Sequence, residues 1–147
     1  MAYQGGGLTQ IWRPDLTTRV GAQSAMDSAK FCFLLVAGFR TIFYAVAAFA
    51  GGSDLAAAPE AFIVFAAVAL LEIGLPLIAA WRLHVYKGAV VVPIATALYV
   101  LGILASLTVG SLIIGAIFTG VFVGGIRGAW ALRRGTGFDE DYYATFN

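Results

Sequence analysis

The chain has 147 residues, of which 61% are hydrophobic and only 12% charged, with one cysteine and one histidine. A soluble domain carries about a quarter charged residues, so this composition excludes an ordinary water-solvated globule, and its hydrophobicity excludes a disordered chain. A disulfide scaffold and a thiolate zinc cluster are excluded by the single cysteine, and the net charge of +1 gives no sign of a nucleic-acid surface.

Residues 1–30 form a polar N-terminal segment without the basic start, apolar centre and small-residue site of a cleaved signal. They hold a glycine run at Gly5, Gly6 and Gly7, then Trp12, Arg13 and Pro14. Thr17 or Thr18 is placed to cap a short helix lying along the membrane interface and leading into the first span.

The spacing of the charges sets out a transmembrane domain over 31–134. Residues 31–50 and 61–80 are apolar runs of the length that crosses a hydrocarbon core of roughly 30 Å. Residues 88–126 contain no charge at all. As one helix they would reach roughly 58 Å, so the run must fold back. Thr108, Val109, Gly110 and Ser111 offer the turn, because glycine tolerates left-handed geometry and the hydroxyls satisfy backbone groups freed at a bend. This gives spans at 89–107 and 112–132 joined by a tight hairpin.

The expected fold is therefore an all-α integral membrane protein, a bundle of four transmembrane helices. Eight of the nine positive charges fall in the N-terminal segment, the break from Trp81 to Lys87 and the stretch from Arg127 to Arg134 that closes the last span. Four crossings put these on one side, so both termini are expected to face the cytoplasm, or the matrix in an organelle. The membrane expected is a bacterial inner membrane or the mitochondrial inner membrane.

Arg40, the ninth positive charge, lies roughly 15 Å along the first span, and Glu72 lies roughly 12 Å from the matching end of the second. An isolated charge at mid-bilayer costs about 2.5 to 3.5 kcal/mol, and antiparallel neighbours bring these two to similar depth. The spacing predicts an ion pair. A lone pair with no further Asp, Glu, His or Lys in its layer cannot form a proton relay, so a structural clasp is preferred to a transport role or a contact with another subunit. Pro76 and Pro93 lie inside the second and third spans and favour kinks there.

Ala116, Gly120, Gly124 and Gly128 recur every four residues and read as a small-residue packing ridge with two overlapping GxxxG matches. Its partner is a helix of the same chain, a second copy or a different subunit. Phe118 and Phe122 lie to the other side and are expected to meet lipid, with a quinone or pigment ring as the alternative. His84, beside Trp81 and Tyr86 in an interfacial break, reads as solvated rather than as a metal or haem ligand. Cys32 reads as a small buried apolar residue.

Residues 135–147 form a tail in which Asp139, Glu140 and Asp141 stand among Phe138, Tyr142, Tyr143 and Phe146. Together with Trp12, these aromatics are candidates for docking on a partner. No catalytic triad, phosphate loop, zinc signature or haem-attachment motif is present, and neither catalysis nor a cofactor is expected. The sequence points to an accessory or assembly subunit of a larger integral-membrane complex, of the energy-transducing kind (respiratory or photosynthetic), in contact with lipid and other membrane subunits. The alternative is a small oligomeric transporter or channel using Arg40 and Glu72.

Overall fold

Backbone satisfaction sets the element boundaries. The computed structural model describes residues 14, 16–52, 58–106 and 108–134, which form four α-helices: α1 (Arg19–Ala50), α2 (Pro59–His84), α3 (Val91–Ser106) and α4 (Val109–Arg134). Thr18 caps α1 from an extended conformation, its hydroxyl accepting from the Gly21 N–H at 2.9 Å. No separate interfacial helix precedes the first span among the described residues. Residues 19–30 are instead the opening turns of one helix of 32 residues, supported by an Asp27–Lys30 pair at 2.7 Å.

Pro59 opens α2 at a position where its missing N–H has no intrahelical role. The helix then continues through Pro76 and is closed beyond His84 by Tyr86, which takes the left-handed conformation with φ of 52°. The Tyr86 N–H bonds the Leu83 carbonyl at 3.0 Å and the Lys87 N–H bonds the Arg82 carbonyl at 2.7 Å. This is a Schellman cap with tyrosine in the place glycine usually takes.

Pro93, in the first turn of α3, leaves the Ala89 carbonyl without a helical donor, while Val92 and Ile94 on either side bond Gly88 and Val90. The indole N–H of Trp130 supplies the missing bond at 3.2 Å, tying the start of α3 to the end of α4. The turn between α3 and α4 falls earlier than expected. Val109, Gly110 and Ser111 belong to the first turn of α4, and Thr108 caps it by accepting from the Leu112 N–H and pairing its hydroxyl with Ser111. The left-handed freedom of Gly110 is not used, because a threonine cap closes the bend instead.

Helices α1, α2 and α4 are long and apolar enough to cross a membrane. At 16 residues α3 spans about 24 Å, short of the roughly 20 residues a full crossing needs. Helix α1 packs along both α2 and α4, and α3 packs on α4 and more lightly on α2, closing a ring. Phe33, Ala79, Leu83, Val92 and Phe122 anchor the core near the end where α1 begins and α2 and α4 finish. Towards the other end, Phe39, Phe43, Phe49, Phe62 and Leu70 stay exposed. Apolar side chains turned outward in this way suit a lipid solvent.

Helices α1 and α4 approach closely through small residues. A methyl added at Gly128 would stand 2.7 Å from the Ala22 carbonyl oxygen, and one at Gly125 would collide with the Ala29 methyl. We expect Gly125→Ala and Gly128→Ala each to destabilise the protein by about 1–3 kcal/mol through overpacking. Gly38→Ala and Gly74→Ala, where an added methyl meets nothing within 4 Å, should be neutral or gain up to about 1 kcal/mol of helix propensity. Detergent-unfolding titrations of the four variants check the contrast.

Candidate functional site

Polar side chains inside an apolar layer must find partners within the chain, and those of α1 and α2 converge on one carboxylate. Arg40 lies beyond the middle of α1 and Glu72 midway along antiparallel α2, with the Arg40 Nη1 2.9 Å from the Glu72 Oε2. Tyr44, one turn beyond Arg40 and so on the same helix face, donates its hydroxyl to the same oxygen at 2.8 Å. Its ring meets Phe65 of α2 edge-on, with centroids 5.4 Å apart. A charge-assisted pair and a phenol therefore hold α1 against α2 at one level.

The pair sits beside a cleft of about 130 Å³ between α1, α2 and α3, whose walls include Pro76, Leu98, Tyr99 and Gly102. Its side chains retain 32% and 28% of their exposure, so it is reachable from the flank of the bundle. Gly102 makes room for the guanidinium, since a Cβ there would stand 3.3 Å from the Arg40 Nη2. Pro76 has no N–H to give to the Glu72 carbonyl, which leaves a backbone acceptor at the level of the carboxylate. The Tyr99 ring is held edge-on by Phe122 at 5.2 Å. Tyr44, Tyr99 and Gly102 were not singled out by the sequence; of these, Tyr44 carried a readable signal, its spacing of four from Arg40.

The small-residue ridge is displaced from its expected line. Gly120, Gly124 and Gly128 are buried, but Ala116 is exposed, and Gly125 joins the packed face. The reason is helical phase: a four-residue repeat advances about 40° beyond a full turn at each step, so three steps rotate Ala116 well away from Gly128. The described contacts of Gly125 and Gly128 are with α1 of the same chain. Phe122 does not meet lipid: it is 0% exposed and stacks on Phe33, with centroids 3.9 Å apart. Phe118 is half-buried and packs near Tyr99.

His84 is exposed at the end of α2, and Cys32 is a half-buried free thiol. Among the described residues, no group of three His, Cys, Asp or Glu side chains comes together to hold a metal ion. Trp12, Phe138, Tyr142, Tyr143 and Phe146 lie outside the described residues.

Removing one member of the ion pair strands the other charge. Arg40→Gln and Glu72→Gln should each destabilise the bundle by about 3 kcal/mol, while Tyr44→Phe should lose about 1 kcal/mol. The double variant Arg40→Gln, Glu72→Gln should recover most of the single losses. SDS titration in mixed micelles measures all four; a double-variant loss equal to the sum of the two single losses would contradict direct coupling.

Compared with known protein families, curated proteins and solved structures, the chain matches none.

Proposed function

We propose that the chain is a four-span membrane subunit with both termini on the cytoplasmic or matrix side, acting by helix packing within a larger integral-membrane complex. The observation that carries this reading is the closure of the polar chemistry inside the apolar layer. Arg40, the one cation on the lipid-spanning part of α1, and Glu72, the one acid of α2 beyond its first turn, neutralise each other, and Tyr44 completes the set. Among the described residues that line the cleft beside them, Tyr99 is present but no further Asp, Glu, His or Lys stands there to pass a proton onward. Charge placement supports the topology: Arg19, Lys30, Arg82, Lys87, Arg127, Arg133 and Arg134 gather at one end of the helices, and Glu60 lies at the other. The uncharged stretch around α3 extends through residues 88–90 and 107, which lengthens its apolar reach to that of a crossing.

An energy-transducing complex of an inner membrane, respiratory or photosynthetic, is the setting this reading favours, with lipids and other membrane subunits as partners and no catalysis by the chain itself. Purification of the tagged native protein in mild detergent is expected to recover stoichiometric large hydrophobic subunits. Recovery of a homo-oligomer alone would contradict the proposal.

A second reading is favoured by the cleft beside the ion pair, which gives Arg40 and Glu72 an open side. It makes the protein a small oligomeric transporter or channel whose pathway passes Glu72 and the Pro76 level. Proteoliposome flux that falls in Glu72→Gln would support it, and absence of flux in the unaltered protein would remove it.

A further inference from the structure

At the basic end of the bundle, away from the Arg40 cleft, lies a larger cavity of about 380 Å³, within the range of small-molecule sites. Three cations from separate elements share its wall: Arg82 from the end of α2, Lys87 from the following loop and Arg133 from the end of α4. The two ion pairs of the described chain, Lys30 with Asp27 and Arg40 with Glu72, involve none of the three. Their mutual repulsion is therefore not relieved by any carboxylate among the described residues, and an anion in the cavity would relieve it.

The rest of the wall is apolar, with Val90, Val91 and Leu132 beside the cations. A cationic rim on an apolar wall matches a molecule that is anionic at one end and hydrocarbon at the other. Free inorganic phosphate would use only the rim. Trp81 and Trp130, both exposed, flank this level as interfacial tryptophans do. The walls are also fixed before any ligand arrives. The cap at Tyr86 sets the course of the loop that carries Lys87, and the Trp130 bond to Ala89 ties that loop to α4. A preformed site loses little ordering entropy on binding.

We propose that this cavity holds the headgroup of an anionic phospholipid, its phosphodiester between Arg82, Lys87 and Arg133 and its first acyl methylenes on Val90, Val91 and Leu132. The proposal rests on the transmembrane placement of the helices, not on the identity of any complex.

Native mass spectrometry of the full chain from detergent, titrated separately with phosphatidylglycerol and phosphatidylcholine, tests it. Phosphatidylglycerol is expected to remain bound at one site where phosphatidylcholine is lost. The triple variant Arg82→Gln, Lys87→Gln, Arg133→Gln should weaken that retention about 100-fold. The charge-matched control Arg19→Gln, Arg127→Gln, Arg134→Gln should keep it.

Equal retention of the two lipids, or equal loss in the two triple variants, would overturn the proposal. Displacement of the lipid by millimolar inorganic phosphate would assign the cavity to free phosphate instead. Retention seen only after deletion of residues 135–147 would assign it to the chain's own acidic tail. Carbonate-resistant membrane association of each variant is measured alongside, so a failure of insertion is distinguished from a failure of the site.

Discussion

The arrangement of this protein depends on one constraint: a polar group placed in an apolar layer finds its partner inside the chain or is stranded. The threonines obey it locally, with Thr41, Thr96 and Thr119 each returning a hydroxyl bond to the carbonyl four residues earlier. Pro93 breaks the local solution at Ala89, and Trp130 repairs it from another helix. Arg40, Glu72 and Tyr44 obey it across the α1–α2 contact. The same requirement that hides polarity from lipid thus specifies which helices meet and at what level.

Packing divides the bundle along its length. Near the basic end, glycines and alanines let α1 and α4 approach to backbone contact, and Phe33 stacks on Phe122 across the same gap. Without a hydrophobic driving force between helices in lipid, such close approach and interhelical hydrogen bonds supply the cohesion. Towards the other end, the exposed rings of Phe43, Phe49 and Phe62 leave α1 and α2 open to the surroundings. The ion pair stands between these regions and holds α1 to α2 above the close-packed base.

Much of this was legible in the amino-acid order because charge is scarce. Counting residues from the span ends was enough to bring Arg40 and Glu72 to one depth, and the length of the uncharged run required a fold-back. The inward and outward faces were not legible. Lipid and protein core are equally apolar, so hydrophobicity alone does not separate the buried Phe122 from the exposed Ile117 on the same helix. The glycine repeat announced close packing but not its direction, since a four-residue period drifts around the helix and carries Ala116 off the contact. The Tyr86 cap gave no signal at all, because a left-handed residue other than glycine has no sequence mark.

A shared membrane face for the basic groups of both halves requires α3 and α4 to form a second crossing pair. Single cysteines placed by Leu16→Cys, Gly52→Cys, Thr108→Cys and Arg134→Cys in a Cys32→Ser background, labelled in oriented vesicles with an impermeant maleimide, measure this directly. Leu16→Cys and Arg134→Cys are expected to label from one face, and Gly52→Cys and Thr108→Cys from the other. Labelling of the Leu16→Cys and Arg134→Cys variants from opposite faces would contradict the four-span arrangement.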